Sequence, residues 1–184
     1  SFTEHVGQLL KANASQHMPA ESFLPGPVSI SHEVREALGQ HAVSHRSAGF
    51  MKDVQRIKHK LCRMVNARRV EILLGTGTLA NDVVAGQISL LDQPGVVLAN
   101  GEFGERLVDH ATRAGLTFET LALPWGSVFE RREIEAILAR NPAARWLWTT
   151  HCETSTGVLN DLPMLKDICR SRGIHLCVDC CSSV

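Results

Sequence analysis

The sequence has no charge in excess: Lys+Arg 19 balance Asp+Glu 19 across 184 residues. A protein that grips nucleic-acid phosphates without reading sequence needs a basic surface, so a nucleic-acid partner is not expected. No apolar run approaches the ~18 residues of a membrane-spanning helix, so no membrane partner is expected either. The opening stretch SFTEHVGQLLKANAS lacks the apolar core of a signal peptide, which sets the expected location in the cytoplasm. Internal repeats and low-complexity segments are missing as well. What is present is ordinary for a globular chain, with 44% hydrophobic and 21% charged residues. The length suits one domain or slightly more. A chain of this size buries roughly 70% of its unfolded surface.

Cysteine is the one chemically loaded residue in quantity, at positions 62, 152, 169, 177, 180 and 181. Without secretory features these do not read as a disulfide framework. The cluster Cys177-x-x-Cys180-Cys181 invites a zinc reading, but such a site wants two spaced ligand pairs. A second pair would have to come from Cys152, Cys169 or His151, at no recognisable spacing. Cys177 also lies within the apolar run IHLCVD, so the expectation is reduced thiols acting as small hydrophobes, and no metal.

Residues 1–27 read as an N-terminal arm ending in Phe23-Leu24-Pro25-Gly26-Pro27, which cannot be regular helix. A short helix is expected from Ser31, as N-cap, to Gly39. A longer one follows, with Phe50, Val54, Ile57, Leu61, Met64 and Val65 on one apolar face. From residue 70 the rhythm changes. Strand-length apolar runs at 70–74, 96–99, 117–123, 145–150 and 174–178 alternate with helical segments near 79–91, 104–114, 131–140 and 162–172. Gly115 and Gly173 fall where helix C-caps belong, and Asp92-Gln93-Pro94-Gly95 reads as a turn. Such alternation defines an α/β fold with a mostly parallel sheet sandwiched by helices. The continuous apolar strands suit a sheet buried on both faces.

Four small or polar clusters each follow one of these strands: Gly75-Thr76-Gly77-Thr78, Asn100 through Gly104, His151 through Gly157, and Asp179 onward. In open α/β sheets ligands bind outside the carboxyl ends of the strands, so the four point at one site. Gly75-Thr76-Gly77-Thr78 opens a helix. It reads either as a phosphate cradle of free N–H groups and hydroxyls or as a tight turn capped by Thr78. It is neither a Walker loop nor GxGxxG, since no Gly-Lys follows and Ala80 stands at the third glycine. Phe103, in a loop, either stacks on a planar ring or starts a helix stripe with Leu107, Ala111 and Ala114. The segment from His151 to Gly157 has neither HExxH nor GxSxG spacing. Asp179, ending an apolar strand, is either a helix cap or the partner of a buried cation.

Together these residues resemble the N-terminal half of a class V, fold-type I pyridoxal-phosphate (PLP) aminotransferase. The similarity is to the alanine/serine–glyoxylate subgroup, with the 2-aminoethylphosphonate–pyruvate subgroup nearby. The matching segments are Leu24-Pro25-Gly26-Pro27, His45-Arg46, Gly75-Thr76-Gly77-Thr78, Asn100 to Gly104, Glu153-Thr154-Ser155-Thr156-Gly157, and Val178-Asp179 with Ser182-Ser183. The resemblance implies that residues 28–184 are part of the PLP-binding large domain, without the small C-terminal domain. It implies that Thr76, Gly77 and Thr78 hold the cofactor phosphate, that Phe103 stacks on the pyridine ring, and that Thr154 lies near its phenolic oxygen. It gives Asp179 the pyridine nitrogen, and Pro25 and Gly26 the neighbourhood of the substrate carboxylate. The implied activity moves an amino group from a small amino acid, alanine- or serine-like, to a 2-oxo acid such as glyoxylate or pyruvate, in a homodimer.

One departure accompanies the match. The family's lysine, which bonds covalently to PLP, follows the Asp-bearing strand, whereas Lys11, Lys52, Lys58, Lys60 and Lys166 all precede it. The resemblance therefore implies a fragment of a longer enzyme, inactive by itself. Two alternatives stand beside this reading. One is a non-catalytic truncated PLP-fold domain. The other is a PLP lyase or cysteine desulfurase-like enzyme, disfavoured because Phe103 stands where such an enzyme stacks a histidine.

Overall fold

The computed structural model describes residues 28–184. The N-terminal arm, with Pro25 and Gly26, lies outside the described residues. The chain divides into two compact units, residues 1–42 and 43–184. Within the described part of the first, helix α1 (His32–Leu38) starts where the sequence places it: the Ser31 hydroxyl accepts the Val34 N–H at 3.4 Å. Gly39 closes it through its own N–H.

The second unit opens with α2 (Ala48–Met64), whose first turn is held by the Ser47 hydroxyl accepting from Phe50 N–H at 3.2 Å. The expected apolar face exists but stays uncovered: Phe50, Ile57, Met64 and Val65 are exposed, and none of its residues is buried. Next comes α3 (Gly77–Ser89), two residues earlier than its sequence pattern suggested. Thr76, not Thr78, is its N-cap.

The rest alternates as expected: β1 (Gly95–Ala99), α4 (Glu102–Arg113), β2 (Phe118–Ala122), α5 (Arg131–Arg140), β3 (Trp146–Thr150), a two-residue hairpin of β4 (Cys152–Glu153) and β5 (Val158–Leu159), α6 (Leu162–Arg172) and β6 (His175–Asp179). Gly95 belongs to the strand rather than to the turn before it. Gly115 and Gly173 both take left-handed φ, +67° and +65°, at the helix ends where the sequence put C-caps.

The four long strands form one parallel sheet in the order β2-β1-β3-β6. Alternate side chains point to opposite faces, which splits the core in two. Val96, Leu98 and Leu147 pack with Ile134, Ile137 and Leu138 of α5 and Leu165 and Ile168 of α6. Val97, Trp146 and Trp148 pack on the other face with Ala85 and Ile88 of α3 and Leu107 and Ala111 of α4. Burial on both faces explains why β1 and β3 read as unbroken apolar runs. The fold class is thus the expected one, a parallel sheet between helical layers.

One strand expectation fails. Residues 70–74 lie outside the sheet, and Ile72, Leu73 and Leu74 are exposed. An apolar, β-prone run becomes a strand only when a neighbour takes its backbone N–H and C=O groups. Among the described residues no strand runs beside it. No helix among them is long and apolar enough to cross a membrane.

Candidate active site

The chain enters the sheet at β1, adds β2 on one side, and then returns to build β3 and β6 on the other. The connections leaving β1 and β3 therefore diverge, and a crevice opens between them at the carboxyl edge. A cavity of about 220 Å³ lies there. Gly77, Thr78, Phe103, Thr154 and Asp179 all line it, together with Asn81, Arg106, His110 and Thr150. Five residues singled out from sequence, drawn from the start of α3, from the segments after β1 and β3, and from the end of β6, thus meet at one cavity. Thr76 stands just outside it, as N-cap of the helix that contributes Gly77 and Thr78.

The start of α3 has the unpaired amides that an anion could use. The first N–H groups of a helix have no intrahelical partner and sit at the positive end of its dipole. Thr76 does not satisfy them, because its side chain makes no capping bond. Gly77 is required by proximity: a Cβ there would lie 2.5 Å from Cys181 Sγ. That sulfur is tucked against the helix, and its desolvation, followed by its hydrogen bond to Asp179, pushes the Cys181 thiol up to about 11. Burial pushes Cys177 and Cys169 up to about 11 as well, so these thiols are protonated at neutral pH. Among the described residues no three His, Cys, Asp or Glu side chains converge as a metal-holding group.

Phe103 is not in a loop but in the first turn of α4, half-buried, with the Arg106 guanidinium 5.1 Å from its ring centroid. Helix α4 begins at Gly101, which has no side chain to cap it. Glu153 performs that service from β4. Its carboxylate accepts the N–H of Phe103 at 3.3 Å and of Gly104 at 2.9 Å, and the Ser155 hydroxyl donates to it as well. Sequence reasoning passed over this buried acid. The available signal was a helix opening on Asn100-Gly101 with no Ser, Thr or Asp of its own at the cap.

Among the described residues no helix starts at Asp179. One carboxylate oxygen accepts the Cys181 N–H at 2.9 Å, and the other accepts from the Asn81 amide at 2.8 Å. No Lys or Arg among the described residues bridges it. Two polar groups near it were also missed from sequence. His110 is buried, and its Nδ1 lies 2.6 Å from Asp82, which Arg113 also contacts. That histidine hydrogen bond is the main reason the Asp82 carboxyl lies below its usual range. Thr150 is buried on the cavity wall, and its hydroxyl has no hydrogen-bond partner. A buried hydroxyl is rarely left unpaired, so Thr150 is a polar position in the wall that the protein itself does not satisfy. Anion-binding amides at one end, an aromatic side wall and an uncompensated carboxylate suit a phosphorylated, protonated heteroaromatic ring.

The family model Aminotransferase class-V matches residues 28–184, and the chain belongs to that family. It is 32% identical over 165 residues to a 2-aminoethylphosphonate–pyruvate transaminase of Aeromonas hydrophila subsp. hydrophila, a match covering 86% of this chain and 43% of that protein. It is 30% identical over 160 residues to the soluble hydrogenase small subunit of Synechococcus sp., covering 85% of this chain and 41% of the relative. Among solved structures, the alanine–glyoxylate aminotransferase of Nostoc sp. superposes with a TM-score of 0.76 at 29% identity, covering 90% of this chain and 46% of that one. The chain thus spans less than half the length of each of these proteins, and its fold is that of part of a fold-type I large domain. Membership of this family implies dependence on PLP.

Proposed function

We propose that the chain supplies the cofactor-binding part of a PLP-dependent aminotransferase acting on a small amino acid, alanine- or serine-like, and a 2-oxo acid such as glyoxylate or pyruvate. The observation that carries this reading is the cavity joining Asp179, which no cation among the described residues pairs, to the uncapped amides of α3. The likeness to transaminases of aminoethylphosphonate and of alanine supports the substrate class.

PLP, when bound, supplies an electron sink for the electron pair left on the substrate's α-carbon. The chain's own residues bind and orient the ring. Thr76, Gly77 and Thr78 bind the phosphate through backbone N–H groups and hydroxyls. Phe103 covers one face of the ring and keeps water from it. Thr154 offers a hydroxyl to the phenolic oxygen. Asp179 holds the proton on the pyridine nitrogen, through a charge-assisted hydrogen bond worth roughly 1.5–3 kcal/mol. The α-proton is carried by a lysine, and none of Lys11, Lys52, Lys58, Lys60 or Lys166 follows Asp179 as the family pattern requires. Residues 1–184 alone therefore do not complete the reaction. The uncovered apolar face of α2 supports a homodimer.

The test is Asp179→Asn in the full-length protein, assayed with alanine and glyoxylate. Turnover should fall at least ~100-fold, the scale of losing one preorganised electrostatic contact, while most of the PLP is retained through Thr76, Gly77 and Thr78. Thr76→Ala should weaken PLP retention with less effect on turnover at saturating cofactor. Near-normal turnover in Asp179→Asn would refute the reading.

A further inference from the structure

We propose that Asn81 is a positioning residue for Asp179. Its amide fixes the carboxylate to helix α3, so that the phosphate-binding amides and the ring-nitrogen partner sit on one rigid element. This rests on the reading of Asp179 given above.

Asn81 occupies the second turn of α3, inside a helix that asparagine does not favour because its side chain competes for backbone groups. Here the side chain is turned to another use. It reaches across 98 positions of sequence to place Nδ2 2.8 Å from Asp179 Oδ2. The orientation of the amide follows from its partner, since an ionised carboxylate only accepts. The Cys181 N–H holds Oδ1 from the other side at 2.9 Å. One donor on each oxygen stops the carboxylate plane from turning. Each oxygen has more than one lone-pair site, so acceptor capacity remains for a ligand in the cavity that Asn81 and Asp179 both line.

The residue type matters as much as the contact. A lysine or arginine at position 81 would orient Asp179 but also neutralise it, leaving little charge for a pyridinium. A carboxylate would repel it. An apolar side chain would leave it free to rotate. A neutral donor orients the charge without cancelling it. The same helix opens at Gly77 and Thr78, so Asn81 fixes the spacing between the two ends of the proposed cofactor.

The experiment loads full-length protein with PLP labelled with nitrogen-15 in the ring and follows the ring-nitrogen chemical shift against pH by NMR. Alanine–glyoxylate turnover is measured in parallel, and circular dichroism confirms folding. In Asn81→Leu the ring nitrogen should lose its proton at a pH about one unit lower than in the wild type, with turnover down about 10-fold, since one unit is a tenfold change in that equilibrium. Asn81→Gln keeps a neutral amide donor and should retain most of the wild-type titration. Loss in Asn81→Leu with retention in Asn81→Gln is not produced by a merely structural residue. Should Asn81→Leu fail to fold, Asn81→Ala, which removes the donor without adding bulk, should show the same downward shift. A titration within about 0.3 unit of wild type in folded Asn81→Leu or Asn81→Ala, alongside a deprotonated ring in Asp179→Asn, would overturn the role of Asn81 alone. A ring that stays protonated in Asp179→Asn would overturn the reading of Asp179 itself, and the proposal with it.

Discussion

Glu153 and Phe103 are joined through the backbone: the carboxylate of one accepts the amide N–H of the other at 3.3 Å, across 50 positions of sequence. Glu153 is fully buried, and no cationic side chain among the described residues bridges it; the N-terminus of α4 faces it instead. The ring wall of the cavity is therefore held in place by an acid on a neighbouring hairpin.

Glu153→Gln follows directly. The amide keeps the shape but loses the charge, and half of its end donates where acceptors are needed. The variant should lose about 1–3 kcal/mol of stability, the range for a charge-assisted hydrogen bond or a buried polar group left unpaired. Urea denaturation monitored by Trp fluorescence measures it. A loss below about 0.5 kcal/mol would mean that the α4 terminus finds another acceptor.

Gly77 gives a prediction with a built-in rescue. A Cβ at this position would lie 2.5 Å from Cys181 Sγ but 3.8 Å from its Cβ, so the sulfur alone is in the way. Gly77→Ala should weaken PLP binding by roughly 10-fold, about 1.4 kcal/mol, by displacing the segment after β6 or the helix start. Adding Cys181→Ala removes the obstructing atom and should restore most of the affinity. Equilibrium titration of the apo protein with PLP checks both. An unrescued double variant would place the defect in the backbone amides instead.

Much of this was readable before the fold was known, and the misses share a cause. Helices α5 and α6 and the strands of the sheet follow from periodicity and end signals, such as the Asp161 side chain accepting from Met164 N–H and left-handed Gly173. These are local devices, decided within a few residues. The shared cavity was legible because strand ends converge by topology. Residues 70–74 misled because a strand requires a neighbour, which no local pattern supplies. The β4–β5 hairpin, two residues on each side, is too short to show an alternation. Asn81 with Asp179 and Glu153 with Phe103 are contacts across 98 and 50 positions, invisible until the sheet brings them together.

The cysteines give a chemical prediction. Cys177 and Cys181 are pushed up to about 11, from an ordinary 9.0. At pH 7.5 their thiolate fraction is then about 100-fold below that of an ordinary thiol, and alkylation slows accordingly. Native protein treated with iodoacetamide should modify them slowly, with a rate that climbs about tenfold per pH unit. Elemental analysis of the reduced protein should find no stoichiometric zinc. Rapid labelling of Cys181 at pH 7.5, read by peptide mass spectrometry, would contradict the assigned environment.

Asp82 accepts from buried His110 at 2.6 Å and lies near Arg113 at 3.3 Å, and its carboxyl falls below the ordinary 3.8 chiefly through the histidine hydrogen bond. A carboxyl whose value is lowered by folding binds fewer protons in the native state than in the unfolded one. Its stabilisation is therefore complete above 3.8 and is lost as the pH falls through the lower, folded value. Asp82 is well exposed to solvent, so the contribution is modest and screened by salt. Asp82→Asn should melt a few degrees below wild type at pH 6–7, and the gap should close as the pH drops toward 3. Thermal melts across that range, at low and high salt, provide the check. A gap that persists unchanged at pH 3 would show that Asp82 stabilises the α3–α4 contact by its shape rather than by its charge.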